Sequence, residues 1–492
     1  MTKTTTTPVY FAEYFGVSET QLARHGAFNI SLVTDLPLFI DPFLLFNSKK
    51  PQYQRLHDEI IRYLRFLRDK AAAEHLDPGL MAAWYHFPEV KQTWLGFSES
   101  SNRGHGLGAK FAASLHQNLH KIFHNFGNEQ ITRGSHLEKL CLVKDGVGRD
   151  NISDFTTNLI RCFLAEYTQR FASNHIDPSL RKRIHLTKVR FNYGTETWES
   201  DWFDLPWCDG DYVLLTPKDM LTKDDTWINK TDLVDDFDRI PAAIPNDALR
   251  AQVNNYFRKQ LPIKPSRKDE YEAVSRTILE FPELIDWYIR YKEEHGDDAE
   301  SVSAMRVAFS QALYTEQFRE LRQLLADTTE FFALAGQTYA EAHQRVAFLK
   351  DVIENKGGHR IFYVHGNPIE REQDLHILYR LTWHGTKMDV TREANDGRGP
   401  VDFKISRGAK DKTLVEFKLA SNTQLARNLK KQLEIYQRAS DAPRAIKVIV
   451  YFSDAEFQRV QRILRELNLL GNRDIVLIDA SQDNKVSGSK AH

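Results

Sequence analysis

The sequence contains few cysteines, and those it has are widely separated. Cys141, Cys162 and Cys208 are the three cysteines among 492 residues. Their spacing excludes both a disulfide framework and the paired cysteines of a zinc motif. Because chains without disulfides are typical of reducing compartments, we expect a cytoplasmic protein.

The sequence also lacks long hydrophobic runs and an excess of either charge. No apolar run reaches the length that crosses a bilayer, and the opening residues MTKTTTTPVYFAEYFG contain no apolar stretch typical of a secretory signal. We therefore expect no membrane partner. The formal net charge is −1 at pH 7, so any nucleic-acid-binding surface has to be local. HExxH, GxSxG and dinucleotide-binding motifs are absent as well.

The length of the chain predicts several domains. Residues 1–245 mix predicted helices and strands, and we expect a sensor, specificity or oligomerisation domain there. Within it, LPLFIDPFLLF (36–46) is predicted to be a buried strand that passes into a turn. Residues 246–355 are predicted to form a helical connector or bundle, because apolar residues recur every three or four positions. Residues 356–481 form the last predicted domain, before a disordered tail at 482–492.

The last of these domains has an informative order of elements. A predicted helix is followed by three strand-like runs, then by a helix, a buried strand, a helix and a final strand. The respective segments are about 369–384, TKMDVTREAN, VDFKIS, TLVEFKLA, 421–440, 444–453, 454–470 and 474–481. This order predicts an α/β domain with a mixed central sheet.

Charged residues interrupt two of these otherwise apolar strands. Asp402 is in VDFKIS, and Glu416 and Lys418 are in TLVEFKLA. Because side chains alternate along a strand, Glu416 and Lys418 share one face, and Phe417 points to the other. If the two strands pair as a hairpin, Asp402 can approach Glu416.

Two carboxylates at close range repel each other unless a cation neutralises them. Mg²⁺ favours carboxylate oxygens, so Asp402 and Glu416 are candidate ligands, with the carbonyl oxygen of Phe417 as a further one. Lys418 can then help to deprotonate a metal-bound water or stabilise charge on a phosphate. A solvated sheet face with an ion pair is the alternative interpretation of the same residues.

This constellation resembles the PD-(D/E)XK nuclease superfamily, whose members share a restriction-endonuclease-like αβββαβ core. PVD (400–402) is similar to the PD element with one residue inserted, and EFK (416–418) matches the EXK element. QLEIY (432–436) resembles the Gln-apolar-x-x-Tyr motif that RecB-like members carry on the next helix. The resemblance covers the C-terminal region alone and says nothing about residues 1–350.

The resemblance implies roles for further residues. Gln432 would act with the catalytic Asp402, Glu416 and Lys418 by contacting the active site or the DNA. Members of the superfamily often place another metal-binding glutamate on the preceding helix. Glu372 is preferred over its neighbour Glu370 for this role because it lies beside the apolar stripe of that helix.

A basic segment surrounds the motif. Between Phe403 and Arg438 there are nine Lys or Arg residues and three Asp or Glu residues. Such a segment can form a phosphate-facing rim. The candidate nucleic-acid-binding residues are Arg398, Lys404, Arg407, Lys430, Lys431 and Tyr436. For each of them, an ordinary solvated helix or turn is the alternative.

The resemblance implies a Mg²⁺-dependent deoxyribonuclease, with Mn²⁺ able to substitute. It further implies duplex DNA as the substrate and a homodimer or higher oligomer, since cutting both strands commonly uses two sites. A role in bacterial defence against phage or plasmids follows by analogy with similar stand-alone nucleases. Two alternatives remain: an inactive nuclease fold that binds nucleic acid or a regulatory partner, and an enzyme whose main chemistry lies in residues 1–245.

Overall fold

The protein is described by a computed structural model that covers most of the chain. The described residues are 8–71, 77–96, 116, 126–143, 147–223, 225–237, 239–334, 336–384, 386, 389–392, 403–407, 411–430 and 444–482. Helices dominate the first two thirds of the chain, and a mixed sheet lies near its C-terminal end. The predictions of a mixed α/β chain and of a mixed C-terminal sheet are therefore confirmed.

The α-helices with defined bounds are numbered here in chain order. They are α1 (Phe11–Phe15), α2 (Glu19–His25), α3 (Pro42–Asn47), α4 (Pro51–Ala71), α5 (Pro78–Tyr85), α6 (Lys139–Val143), α7 (Arg149–Leu159), α8 (Arg161–His175), α9 (Lys230–Asp235), α10 (Asp247–Gln260), α11 (Arg267–Glu280), α12 (Leu284–Glu294), α13 (Gly296–Gln311), α14 (Phe318–Thr328), α15 (Thr338–Asn355), α16 (Glu372–Trp383) and α17 (Asp454–Glu466). A π-helical segment, Ala312–Gln317, joins α13 to α14. Residues 425–430 are also helical.

The strands form four sheets within the described residues. They are β1 (Leu38–Ile40), β2 (Arg181–Asn192), β3 (Thr197–Cys208), β4 (Asp211–Tyr212), β5 (Leu221–Lys223), β6 (Tyr363–Val364), β7 (Asn367–Pro368), β8 (Asp389–Arg392), β9 (Phe403–Arg407), β10 (Asp411–Leu419), β11 (Arg444–Tyr451) and β12 (Ile475–Asp479). Their orders are β1-β5, β2-β3-β4, β6-β7 and β12-β11-β10-β9-β8.

The segment at 36–46 differs from its prediction. Its strand β1 has three residues, and the helix α3 follows it, so the predicted turn is wrong. The Asp41 carboxylate accepts a hydrogen bond from the Phe43 N–H at 3.0 Å, and Pro42 occupies the first helical turn. Both features are typical of a helix start, and here they outweigh the strand-like composition of the apolar run.

The C-terminal sheet combines antiparallel and parallel pairing. β8, β9 and β10 are antiparallel neighbours, and Val415 of β10 lies opposite Phe403 of β9. β11 is parallel to β10, with Glu416 opposite Lys447, and β12 is parallel to β11. An antiparallel meander therefore leads into a parallel pair, and β10 lies at the centre of the sheet.

The two faces of this sheet pack against different parts of the molecule. On one face, Phe417 joins the main hydrophobic core, where its ring lies 4.3 Å from that of Tyr379 on α16. On the other face, Ile449 packs in a smaller apolar cluster with Leu425 and Leu464. The alternation of β10 thus divides apolar side chains from the charged ones that share its second face.

Helix α15 is tied directly to this sheet. The Thr338 hydroxyl donates to the Asp411 carboxylate at 2.6 Å, and the Lys350 ammonium donates to the Leu477 carbonyl oxygen at 2.6 Å. The helix therefore packs with the sheet, although the predicted domain begins only at residue 356. The domain boundaries themselves stay predictions.

A buried polar contact joins three distant parts of the chain at Asp374. The Lys223 ammonium lies 3.1 Å from an Asp374 carboxylate oxygen, and the Tyr314 hydroxyl donates to the same oxygen. All three residues are buried. Since Lys223 belongs to β5, Tyr314 to the π-helical segment and Asp374 to α16, this contact holds α16 against the N-terminal and middle parts of the chain.

Candidate active site

Glu416 and Lys418 lie on the same face of the central strand β10. The Glu416 residue is 4% exposed, so its carboxylate is enclosed by the fold. Val415 and Phe417 point away from it into the main core. The apolar run of the central strand is thus interrupted by two ionisable side chains, Glu416 and Lys418, on one face. Burial of such groups is uncommon unless partners or a ligand compensate the charge.

Glu372, at the start of α16, reaches the end of this strand. Its carboxylate lies 3.2 Å from the Lys418 ammonium. It also accepts hydrogen bonds from the Leu419 N–H at 3.3 Å and from the Asn422 amide at 2.6 Å. Glu370, the alternative weighed from the sequence, is exposed. Of the two glutamates, Glu372 is therefore the one that contacts the motif.

Lys447 is a site residue that the sequence analysis missed. It lies on β11 directly opposite Glu416 and is 8% exposed. Burial lowers the pKa of Lys447 to about 8, an effect that the Glu416 carboxylate opposes and the Lys418 ammonium reinforces. A single lysine in the apolar run RAIKVIVY was the available signal, of the same kind as the charges in TLVEFKLA.

Lys404 adds a third lysine to the same face. It lies on β9 opposite Leu414, and Leu414 shares the face of Glu416 because the two are separated by two residues. We refer to Lys404, Glu416, Lys418 and Lys447 as the charge cluster. With Glu372 included, three lysines and two glutamates leave a net positive charge, which suits a phosphate-bearing partner.

The Phe417 carbonyl oxygen, a predicted metal ligand, faces α16. The Nε2 atom of His376 lies 3.3 Å from this oxygen. His376 is buried, and its ring stands edge-on to that of Phe403 at 5.9 Å. His376 therefore fixes the orientation of α16 relative to the strand that carries the motif.

Several predicted site residues lie outside the described residues. Of Arg407 the backbone alone is described, in β9, and Lys430 is an exposed residue of the helical stretch 425–430. The structure places Glu372 in contact with Lys418, and it places Lys404, Glu416 and Lys418 on one face of the sheet. The residues outside the described ranges are Arg398, Asp402, Lys431, Gln432 and Tyr436.

The donors present are suited to Mg²⁺ rather than to a soft metal. They are the carboxylates of Glu416 and Glu372 and the carbonyl oxygen of Phe417, all hard oxygen ligands. No cluster of three or more His, Cys, Asp or Glu placed to hold a metal occurs among the described residues. Mg²⁺ commonly binds through one or two carboxylates and retains several waters, so the oxygen donors of the site fit this ion.

Two segments of the chain match known family models. Residues 16–229 match a domain of unknown function, DUF8370, and residues 338–454 match a second, DUF8371. The second segment contains α15, α16 and the strands β8 to β11, and thus the whole charge cluster. No curated protein and no solved structure matches the chain. The chain thus carries similarity to two families of unknown function, one of which includes the candidate site.

Among the described helices, none combines the length and the apolar character that a membrane span requires.

Proposed function

We propose that this protein is a Mg²⁺-dependent endonuclease that hydrolyses phosphodiester bonds in duplex DNA. The observation that carries the proposal is the buried Glu416 on a central strand, with Lys418 on the same face and Lys447 opposite. A fold encloses such charges at a cost of several kcal/mol unless they are compensated. A catalytic role for the cluster accounts for that cost.

The order of elements supports the same proposal. Helix α16 precedes the antiparallel strands β8, β9 and β10, and the helical residues 425–430 precede the parallel strand β11. This order is compatible with the αβββαβ core of the PD-(D/E)XK superfamily, whose motifs EFK and PVD resemble. The last described partners of the hairpin are Phe403 and Val415. Asp402 precedes Phe403 and Glu416 follows Val415 in sequence, as neighbours across an antiparallel pair do, so we propose that these carboxylates act together.

Each residue of the proposed site has a role that follows from its chemistry. Mg²⁺ would be held by Glu416 and Asp402, and when bound it supplies charge stabilisation and an activated water. Lys418 would contact the scissile phosphate and stabilise the charge that develops on it. Lys447 lies opposite Glu416 and would offset the charge of its carboxylate when no metal is bound. Glu372 fixes the position of the Lys418 ammonium through their 3.2 Å contact.

The proposal is tested with the purified full-length protein and supercoiled plasmid. We expect nicked or linear products with Mg²⁺ or Mn²⁺ and none with EDTA. Asp402→Ala is expected to abolish cleavage, while folding, measured by circular dichroism, stays unchanged. Plasmid that remains intact with both metals, over a wide range of salt and pH, would contradict the endonuclease proposal.

One observation favours a second candidate function, DNA binding without cleavage. Both Glu372 oxygens accept hydrogen bonds, one from Lys418 and the other from the Leu419 N–H and Asn422. A lysine held in such a contact is less free to engage a phosphate. Binding of labelled duplex that is unchanged by EDTA, without products under any metal condition, would favour this function over hydrolysis.

The lowered pKa of Lys447 predicts a pH dependence of DNA binding. Lysine is charged below its pKa, so Lys447 loses its positive charge as the pH rises through about 8. We expect the affinity for labelled duplex DNA to fall by about threefold over this range. The Lys447→Met variant should bind more weakly at pH 7 and lack this fall. Fluorescence anisotropy in EDTA, from pH 6.5 to 9.5, measures both affinities.

A matched control for this variant is Lys264→Met, which removes an exposed lysine from the loop between α10 and α11. Its titration curve should have the midpoint of the wild type. If the Lys447→Met variant shows the same decline as the wild type, another group is responsible and the assignment to Lys447 is wrong.

A further inference from the structure

Two adjoining cavities lie where the N-terminal part of the chain meets α13. The larger has a volume of about 500 Å³ and lies between the segment that ends α3, the segment 218–221 and α13. The smaller has a volume of about 370 Å³ and opens toward α2 and α8. Lys50, Lys218 and Asp219 line both, so the two cavities adjoin at these residues, and we refer to them together as the cleft. Volumes of this size hold ligands as large as a nucleotide.

Positive charge predominates in this cleft. Its cations are Lys49, Lys50, Lys218 and Arg170, and its acids are Asp219 and Glu300. Each acid already has a partner. Asp219 pairs with Lys50 and accepts a hydrogen bond from the Tyr53 hydroxyl at 2.8 Å, and Glu300 accepts one from the Asn47 amide at 3.1 Å. Because the Asn47 amide is neutral, Glu300 keeps its charge, and the four cations exceed the two acids by two, which leaves net positive charge for a bound anion.

Lys218 is the cation that best indicates an anionic ligand. It is half-buried, and its ammonium donates to the neutral amide oxygen of Gln311 on α13. No carboxylate of a described residue lies within salt-bridge distance of it. Burial lowers the pKa of Lys218, an effect that Glu19 and Glu316 oppose from a distance. An anion in the cleft would remove this unfavourable burial of charge.

The walls of the cleft are apolar or aromatic. The larger cavity has Leu44, Leu221 and Val307 on its sides. The smaller cavity is lined by the aromatic side chains of His25, Tyr53, Phe163 and Tyr167, against which a planar ring can pack. Cations beside an aromatic surface are the chemistry that recognises a phosphate attached to a heteroaromatic base.

We propose that this cleft binds a phosphate-bearing ligand of nucleotide size, with its phosphates at Lys218 and Arg170 and its base against His25 and Tyr167. The proposal is independent of the proposed nuclease function. The cleft is formed by residues other than those of the charge cluster, and its ligand is a small molecule rather than duplex DNA.

The test uses the full-length protein in EDTA and the fluorescent nucleotide trinitrophenyl-ATP as the probe. We expect saturable binding that ATP displaces and that adenosine, which lacks phosphate, does not. Lys218→Met and Arg170→Met should each weaken binding by about tenfold, or about 1.4 kcal/mol, since each removes a charge-assisted contact to phosphate. Arg170 is exposed, so its replacement leaves folding intact even if the Lys218 variant is unstable.

Two control variants separate this site from others. Lys264→Met should leave probe binding unchanged, and so should Lys418→Met, which alters the charge cluster alone. Absence of saturable binding up to 1 mM probe would overturn the proposal. So would binding that neither Lys218→Met nor Arg170→Met weakens, or binding that Lys418→Met weakens as strongly, since the nucleotide would then occupy another site.

Discussion

Glu416→Gln and Lys418→Met are each expected to lower the rate of Mg²⁺-dependent plasmid cleavage by about a hundredfold to a thousandfold. Glutamine keeps the shape of Glu416 but removes the charge that holds a divalent cation. Methionine keeps the length of Lys418 and removes the ammonium that stabilises the transition state, and losing one such group typically costs 10²–10³ in rate. Initial rates of plasmid nicking under single-turnover conditions measure both effects.

The controls for these variants come from the same region of the chain. Glu370→Gln changes an exposed glutamate two residues before Glu372 and should retain wild-type activity. Glu372→Gln should give an intermediate loss of about tenfold to a hundredfold, since it leaves the Lys418 ammonium in place but weakens its contact. Cleavage that persists at the wild-type rate in both the Glu416 and Lys418 variants would remove the charge cluster from the mechanism.

Asp374→Ala is expected to lower the free energy of unfolding by about 3–5 kcal/mol, because it leaves the buried Lys223 ammonium without its carboxylate partner. The residue exposures are 2% for Asp374 and 5% for Lys223, so water does not readily replace the lost contact. The Tyr314 hydroxyl loses its acceptor in the same variant. Urea unfolding followed by tryptophan fluorescence and by circular dichroism measures the change.

Replacing the whole contact tests the cause of this loss. Asp374→Leu combined with Lys223→Met and Tyr314→Phe removes every polar member and should recover most of the stability, since an apolar replacement of a buried ion pair is often neutral. Asp58→Ala, at an exposed position of α4, should cost less than about 0.5 kcal/mol. A loss in Asp374→Ala no larger than that of Asp58→Ala would show that the ion pair contributes nothing.

The sequence was most informative where local periodicity sets the structure. The common face of Glu416 and Lys418 follows from the two-residue repeat of a strand, and the structure has it. The mixed sheet follows from the order of apolar runs and the loops between them. The segment at 36–46 was mispredicted because Asp41 and Pro42 start a helix within a run whose apolar residues suit a strand equally well.

Contacts between distant segments could not be predicted in this way. Lys447 comes next to Glu416 through the register of two parallel strands, which the sequence does not specify. Asp374 meets Lys223 across 151 residues of chain. The nucleotide-sized cleft depends on how α13 packs against segments that precede it by 75 residues or more. No local sequence pattern therefore predicts it.

The π-helical segment Ala312–Gln317 lets the continuous helix formed by α13 and α14 bury side chains on different faces before and after it. Successive residues of an α-helix point about 100° apart, so three consecutive buried side chains require protein on most of its circumference. Leu313, Tyr314 and Thr315 are buried in succession here. The wider turn accommodates one extra residue while α13 and α14 keep their own faces. Deleting one residue would restore an ordinary helix and turn the Tyr314 hydroxyl away from Asp374. Deleting a single residue from this helix would therefore also remove the contact between Tyr314 and Asp374, which lie about 60 positions apart in sequence.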